Sequence, residues 1–297
     1  MKKLTIAFFG SPDFAADFLE KILLDKSLPV KVKLVVTQPD QPIGRKQVVT
    51  ANPVKKIAEK AKIPSNGIEL KNTDLALVYA YGDLIPKEIL SLPKYGFWNI
   101  HPSLLPKYRG PSPIATPLIN GETTTGVTII KMDEEIDHGP IIAQQSLTIE
   151  KTDKRPDMEK KLTDLAYTMF KKIIGNVILS EERSDESKDL KLKPQNHSLA
   201  TYTKKLTKQD GFIELRNLKL EISNSSEILY NRFRGSYPWP GLWTLIKPIQ
   251  PRRLDEAKRL KIIDMDLINN QLVIKKVQLE GKKEVGFETF NKAYKIF

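Results

Sequence analysis

The stretch FWNIHPSLLPKYRG, residues 97–110, carries one of only three histidines in this chain of 297 residues. Asn99 and His101 lie two positions apart at the end of a short apolar run, so a strand pleat would direct both side chains to the same side. An Asn amide donates a hydrogen bond, and an imidazole donates one or shuttles a proton near neutral pH. The pair therefore suits a carbonyl oxygen that gains negative charge. A histidine that only caps the turn before Pro102 is the structural alternative.

Asp137 is a second acid–base candidate, in the segment MDEEIDHGPII at 132–142. It precedes His138-Gly139-Pro140, a sequence typical of a tight turn between two strands. A carboxylate in such a turn can orient a histidine from a neighbouring strand and balance its charge. The acidic residues at 133–135 fit a solvated turn instead.

The loop PSLLP follows His101 directly. Its prolines, Pro102 and Pro106, stiffen the backbone because each ring fixes φ. Ser103 and the neighbouring backbone amides could hold a flat heterocycle, whereas a loop that only packs is the alternative.

Composition excludes several other chemistries. The absence of cysteine removes disulfides, thiolate nucleophiles and cysteine zinc sites, and three scattered histidines leave little for a metal site. The chain has no Gly-x-Ser-x-Gly, Walker or His-Glu-x-x-His pattern. No apolar stretch approaches the roughly 18 residues that span a bilayer. A soluble protein with neither a metal nor a membrane partner is expected.

The elements that would position these residues alternate between strand and helix. KLTIAFFG at 3–10 predicts a buried strand rather than a signal peptide, because Ser-Pro-Asp follows it instead of a cleavage site. Its turn has one glycine, Gly10, whereas a dinucleotide site needs G-x-G-x-x-G, so nicotinamide or flavin binding is not expected. Ser11 is the predicted N-cap of the first helix, and residues 38–53 are a predicted loop. The alternation predicts an α/β fold with a Rossmann-like, mostly parallel sheet, with helices over 12–26, 53–62, 86–93 and 156–179 and strands over 32–38, 74–82, 97–100, 126–132 and 141–150.

A charged stretch with few apolar residues, 181–200, predicts a linker between two domains. Residues 1–180 would form the catalytic domain, and residues 201–297, with short alternating runs such as LWTLI, a small OB-like β-barrel. This C-terminal region holds 19 Lys and Arg against 11 Asp and Glu, which is +8 of the chain's net charge of +12. A basic domain is typical of a protein that binds nucleic acid, although a merely soluble surface fits the charge equally well.

Two longer segments, NIHPSLLPKYRGPSPI at 99–114 and TGVTIIKMDEEIDHGPII at 125–142, resemble the formyltransferase superfamily that uses 10-formyltetrahydrofolate. The superfamily signature is Asn-x-His, then Ser-Leu-Leu-Pro, then Asp-x-Gly further on. The resemblance implies that Asn99 and His101 stabilise the oxyanion of a tetrahedral intermediate. It implies that Asp137 holds His101 and assists proton movement, with no metal. The folate would lie along four residues of the loop and against a strand end, at Ser103, Leu104, Leu105, Pro106, Tyr81 and Gly82.

The central segments also look like glycinamide ribonucleotide formyltransferase, the purine-pathway branch of the superfamily. GSPDFA at 10–15, TQPDQPIGR at 37–45 and YPWPGLWT at 237–244 instead resemble the branch that formylates the methionine of initiator methionyl-tRNA. That resemblance implies formyl transfer to the methionine α-amino group by direct amine attack. Arg45 and Lys46 would contact the tRNA acceptor stem, and the C-terminal domain would dock on the tRNA. A monomeric, cytoplasmic enzyme of translation initiation is expected.

Three other functions are compatible with these residues. A formyltransferase acting on a nucleotide-linked amino sugar would keep Asn99, His101 and Asp137 but would not need the Arg45 loop or the basic C-terminal domain. An RNA-binding protein that has lost activity would have no need of those three polar side chains. A folate-dependent hydrolase differs only in whether water or an amine reaches the formyl carbon.

The connection over residues 65–74 departs from the family. A parallel crossover needs about a dozen residues or more, and the superfamily usually has a further strand and helix here. One flank of the sheet is therefore expected to be trimmed.

Overall fold

The computed structural model describes residues 3–43, 48–65, 70, 72–182, 192–224, 226–247 and 257–297. The chain forms two compact units, each built from more than one segment. The first comprises Met1–Pro113, Thr124–Thr148 and Glu159–Thr203, and the second Ile114–Thr123, Ile149–Met158 and Lys204–Phe297. The second unit thus takes two short segments that precede residue 180, which a single boundary at that residue does not anticipate.

Within the described ranges, twelve strands and seven α-helices are numbered in chain order. The strands are β1 (Leu4–Gly10), β2 (Val30–Val36), β3 (Gln41–Ile43), β4 (Val48–Thr50), β5 (Leu75–Tyr79), β6 (Phe97–His101), β7 (Thr124–Lys131), β8 (Ile141–Thr148), β9 (Trp243–Ile246), β10 (Lys258–Ile268), β11 (Gln271–Leu279) and β12 (Glu284–Gly286). The helices are α1 (Asp13–Leu24), α2 (Pro53–Lys60), α3 (Ala115–Ile119), α4 (Arg155–Glu182), α5 (Leu215–Ser223), α6 (Glu227–Ser236) and α7 (Phe287–Tyr294).

The first unit is organised around a six-stranded sheet in the order β2-β1-β5-β6-β7-β8. The pairs from β2 to β6 are parallel, and β6-β7 and β7-β8 are antiparallel. β5 is buried along its whole length and β1 at every position except Thr5. Near-continuous apolar runs such as IAFF are what strands covered on both faces require. The predicted mostly parallel sheet is confirmed.

Three local predictions are wrong. Ser11 does not cap α1; its hydroxyl donates to the Tyr81 carbonyl oxygen at 2.8 Å, and the N-cap residue is Pro12. The predicted helix at 86–93 is reduced to one 3₁₀ turn, Lys87–Ile89, none of whose residues is buried. Burial of an apolar face is what stabilises a short helix, so this segment lacks the driving force. The predicted loop at 38–53 contains the antiparallel pair β3-β4.

β2 is the edge strand of the sheet in the described residues, on the flank where a trimmed connection is expected. Val35 forms a single parallel bridge with Ser65, and its N–H donates to the Pro64 carbonyl oxygen at 3.0 Å. In the described residues this bridge is all that lies beyond β2, while residues 66–69 and 71 are outside the described ranges.

The second unit has a four-stranded antiparallel sheet in the order β12-β11-β10-β9. The predicted β-rich C-terminal domain is therefore confirmed, as an antiparallel sheet. In the described residues β9 and β12 are outer strands that do not pair with each other, so the OB-like barrel closure is not seen there, and the prediction missed α5, α6 and α7. Gly235 of α6 lies so close to α3 that a Cβ there would come within 2.7 Å of the Ala115 carbonyl oxygen. Arg234 donates to the carbonyl oxygens of Glu150 and Asp153 at 2.9 and 3.0 Å, and these hydrogen bonds attach the segment Ile149–Met158 to α6.

The end of the chain segment predicted as a linker is packed instead. Residues 183–191 lie outside the described ranges, but residues up to Thr203 belong to the first unit. Lys193 and Ile141 exchange backbone hydrogen bonds of 2.7 and 2.8 Å, and the Arg109 N–H donates to Thr201 at 2.9 Å. Residues 193–203, the returning segment, are therefore part of the structure around the PSLLP loop.

Candidate active site

Asn99 and His101 are placed by β6, between parallel β5 and antiparallel β7. Their side chains share one partner, Asp137 Oδ1, which lies 3.0 Å from Asn99 Nδ2 and 3.3 Å from His101 Nδ1. The strand pleat thus directs both to one side, as their spacing of two residues predicts. The structure brings the three candidate catalytic residues into direct contact.

Asp137 lies in the turn between β7 and β8 with φ of 52°, in the left-handed region. Aspartate tolerates this conformation better than most residues because its short polar side chain bonds locally. Its second carboxylate oxygen, Oδ2, accepts a 2.7 Å hydrogen bond from the Gly110 N–H. The carboxylate is therefore held both by side chains of β6 and by the backbone of Gly110, which follows the PSLLP loop.

The environment of Asp137 favours its charged form. Burial by itself would raise the pKa of this carboxyl, but the charge and hydrogen bond of His101 outweigh it, with help from the Gly110 N–H and the Arg109 charge. The net effect lowers the pKa of Asp137 below its ordinary value. Asp137 is consequently an anion at neutral pH.

His101 is held between two hydrogen-bond acceptors. Nδ1 faces the Asp137 carboxylate, and Nε2 lies 2.9 Å from the Tyr108 carbonyl oxygen. The residue is only 4% exposed. Asp137 and the Tyr108 carbonyl oxygen together fix the orientation of the ring, and Nε2 is the nitrogen that faces away from Asp137.

The PSLLP loop is shaped from within. The Ser103 hydroxyl, fully buried, donates to the Lys107 carbonyl oxygen at 2.7 Å, and the Leu105–Pro106 peptide bond is cis. Ser103 therefore uses its hydroxyl inside the loop. Leu105 is also buried, whereas Leu104 and Pro106 are half-buried. Those two residues are the partly exposed apolar side chains of the loop.

Thr128 of β7 ties the loop to the sheet. Its fully buried hydroxyl donates to the Ser103 carbonyl oxygen at 2.6 Å and accepts from the Leu105 N–H at 3.1 Å and from Gln144 Nε2 at 2.8 Å. Gln144 also donates to the Leu105 carbonyl oxygen at 2.8 Å. The Thr128 hydroxyl thus makes three of the hydrogen bonds that hold the loop and its neighbour Gln144 in place.

Thr128→Val should therefore loosen the loop. Valine keeps the shape but leaves buried polar groups without their partner, so the free energy of unfolding should fall by about 1–3 kcal/mol. The KM for the folate donor that the family resemblance implies should rise. Urea unfolding and initial rates measure the two effects, and Thr128→Ser, which keeps the hydroxyl, should preserve the KM. An unchanged KM in Thr128→Val would show that the loop does not bind the donor.

The other predicted ligand positions are only partly described. Tyr81 packs edge-on against Phe9 at 5.5 Å, and burial raises the pKa of its hydroxyl. Gly82, with φ of 92°, is exposed and lies beside Gln38. Arg45 and Lys46 lie outside the described residues, between β3 and β4.

Sequence reasoning missed three buried polar residues that support the site: Thr128, Arg109 and Gln195. Thr128 lies in the alternating run GVTIIKM, where a polar residue among buried neighbours is a weak signal. Arg109 is 2% exposed, although arginine is rarely buried and its position predicts a surface side chain. Gln195 lies within the charged stretch predicted as a linker and has no local signal at all.

Two kinds of feature, a metal-type cluster and a membrane-spanning helix, are absent from the described ranges. These ranges contain no group of three or more His, Cys, Asp or Glu side chains arranged to hold a metal ion. Nor does any described helix combine the length and apolar character needed to cross a membrane.

The mostly parallel sheet, with Asn, His and Asp converging beside a Ser-Leu-Leu-Pro loop, is the arrangement that the resemblance to one-carbon transferases implies. The sequence matches the formyl transferase family over residues 2–174, more than half of the chain, and the protein belongs to that family. The methionyl-tRNA formyltransferase of Caldicellulosiruptor saccharolyticus is 34% identical over 324 aligned residues, which cover 99% of this chain and 98% of that protein.

Solved structures share the fold. Methionyl-tRNA formyltransferase from Clostridium thermocellum has a TM-score of 0.58 and 16% identity, covering 93% of this chain and 98% of that one. A Helicobacter canadensis N-formyltransferase, solved with folinic acid and dTDP-3-aminofucose, also has a TM-score of 0.58, with 22% identity and coverage of 88% and 95%. At these identities the likeness concerns the fold alone.

Proposed function

We propose that this protein transfers a formyl group to the α-amino group of methionine on initiator methionyl-tRNA. The observation that carries the proposal is the contact of Asn99 and His101 with one oxygen of an ionised Asp137. Full-length identity of 34% to a methionyl-tRNA formyltransferase supports the choice of substrate. The family implies a folate-derived formyl donor, for which we propose 10-formyltetrahydrofolate.

The reaction needs an electrophilic formyl carbon, hydrogen-bond donors for the oxygen that becomes negative, and a path for the proton that the amine loses. The lone pair of the amine attacks the formyl carbon, a C–N bond forms, and the C=O electron pair moves onto oxygen. N–H groups of Asn99 and His101 would stabilise that oxyanion. The carbonyl then re-forms as the bond to the folate nitrogen breaks, and the proton lost by the amine passes to that nitrogen. Asp137 would hold His101 for this transfer.

The two N–H groups of the Asn99 amide have different uses in this scheme. One amide N–H donates to Asp137, which fixes the orientation of the group, and the amide carries a second N–H. That N–H is the one available to a substrate oxygen. The folate would lie against Leu104 and Pro106 of the loop and near Tyr81 and Gly82.

The basic residues 201–297 are the proposed tRNA-binding region. Their excess of positive charge, +8, would attract phosphates and make binding salt-dependent. A monomer in the cytoplasm is the proposed state of the protein, as expected for an enzyme that acts on charged tRNA.

Arg45→Ala should weaken methionyl-tRNA binding and flatten its salt dependence. A side chain that neutralises one phosphate contributes about one unit to the slope of log K against log salt. Binding at several salt concentrations measures this slope. Lys172→Ala removes an equal charge from an exposed position of α4 and should leave the slope unchanged. An unaltered slope in Arg45→Ala would contradict a phosphate contact at this position.

One experiment separates the proposed substrate from its main alternative. Purified protein is given 10-formyltetrahydrofolate with methionyl-tRNA, uncharged tRNA or a nucleotide-linked amino sugar. Formylation of methionyl-tRNA alone is expected. Transfer to the amino sugar instead would identify a sugar formyltransferase, and release of formate without an acceptor would identify a hydrolase.

A further inference from the structure

Gln195, in the returning segment, makes three hydrogen bonds although it is only 6% exposed. Its Nε2 donates to the backbone carbonyl oxygens of Asp137 at 3.0 Å and of Gly139 at 2.7 Å. Its Oε1 accepts from an Arg109 guanidinium nitrogen at 2.8 Å. The amide group thus holds the turn that carries the catalytic carboxylate at two points.

That turn needs external support. Asp137 has φ of 52°, a conformation that non-glycine residues rarely adopt and that the surrounding structure must maintain. Gly139 lies against the backbone of Lys131, where a Cβ would clash with the carbonyl oxygen. The turn is therefore closely packed on the β7 side and hydrogen-bonded to Gln195 through its carbonyl groups.

Arg109 in turn fixes Gln195. Its backbone N–H donates to Thr201 at 2.9 Å, and its carbonyl oxygen accepts from the Thr203 N–H at 2.7 Å. The same guanidinium nitrogen that reaches Gln195 lies 2.8 Å from His197 Nδ1. Both ends of Arg109 are thus bound to the returning segment.

These hydrogen bonds form a closed network around the Asp137 carboxylate. The next residue after Arg109, Gly110, donates its N–H to Asp137 Oδ2, while Gln195 joins Arg109 to the Asp137 backbone. The side chain and the backbone of Asp137 are both located by residues that meet at Arg109. A shift of Gln195 would move the carboxylate relative to His101 and Asn99.

We propose that Gln195 is a positioning residue for formyl transfer, which sets the location of Asp137 through the backbone of its turn. The inference rests on the proposed function, because it assumes that Asp137 acts in the reaction. It assigns a role to the returning segment, residues 193–203. This segment completes the active site although it contributes no group to the reacting atoms.

Gln195→Met tests the role because methionine has similar length and removes all three hydrogen bonds. Small displacements of a catalytic group cost up to about 10²-fold, so kcat should fall about 10- to 100-fold, with little change in the KM for either substrate. Gln195→Glu keeps an acceptor for Arg109 but loses both donors, and should lose kcat similarly. Steady-state formylation of methionyl-tRNA measures both variants.

A double-mutant cycle separates positioning from general stability. If Gln195 acts through Asp137, Gln195→Met should lower kcat far less in an Asp137→Asn background than in the wild type. An equal fold-change in both backgrounds would overturn the proposal, as would full activity of both Gln195 variants. Failure of both to fold, judged by circular dichroism, would assign Gln195 a purely structural role.

Asn196→Ala is the matched control. Asn196 is exposed, and its side chain accepts from Ser198 within the same segment, without reaching Asp137. Its kcat should equal that of the wild type; a matching loss there would overturn the specific role of Gln195. If the wild type itself forms no formylmethionyl-tRNA, the proposed function is wrong. If the wild type is active and both Gln195 variants are fully active, only the positioning role of Gln195 is wrong.

Discussion

His101→Ala is expected to lower kcat by at least about 10²-fold while the protein remains folded, because a preorganised donor to a developing oxyanion contributes about 10²–10³ in rate. The imidazole lies between Asp137 and the Tyr108 carbonyl oxygen, so its orientation is set before substrate binds. Alanine removes the donor and leaves the Asp137 charge without its histidine partner. The loss should appear in kcat rather than in the KM for methionyl-tRNA.

Initial-rate kinetics and thermal unfolding measure the two parts of this prediction. His138→Ala is the control, since His138 lies next to Asp137 in the chain but directs Nδ1 at Asp133 Oδ2, 2.7 Å away. Its kcat should stay near the wild-type value. Wild-type turnover in His101→Ala with an intact fold would show that His101 is structural.

Asp137→Asn is expected to lower kcat by about 10²-fold or more. The carboxylate accepts from Gly110 on one oxygen and faces Asn99 and His101 with the other. A carboxamide has one accepting oxygen, so at least one of these donors would meet an NH₂ group instead. The substitution also removes the negative charge that faces His101 Nδ1.

The pH dependence of stability offers a second measurement on the same variant. The pKa of Asp137 is lowered in the folded protein, so its charge stabilises the fold above the ordinary carboxyl pKa of about 4. That contribution is lost as the pH falls through the folded value. The stability difference between wild type and Asp137→Asn should be constant near neutral pH and shrink in acid.

Asp133→Asn removes a half-buried carboxylate from the same turn and should leave kcat near the wild-type value. A loss equal to that of Asp137→Asn would mean that charge in this turn, rather than its position beside His101, supports the reaction.

Much of the fold could be predicted because it follows from local patterns. The apolar runs of β1 and β5 and the alternation along β7 indicate strands, and their spacing with helices indicates a parallel sheet. The helix predicted at 86–93 was wrong because a suitable residue pattern without burial does not sustain a helix. The packing of the returning segment escaped prediction because its partners lie far away in the chain.

The sequence by itself determined the strand that carries Asn99 and His101 and their common direction, because the pleat has a period of two residues whatever surrounds it. It also identified Asp137, through its turn and its likeness to a known family. Only the tertiary structure decided what holds that carboxylate: the Gly110 N–H, and Gln195 from 58 residues further along the chain. Such contacts depend on how separate segments pack, and no local pattern of residue types encodes a distance between them.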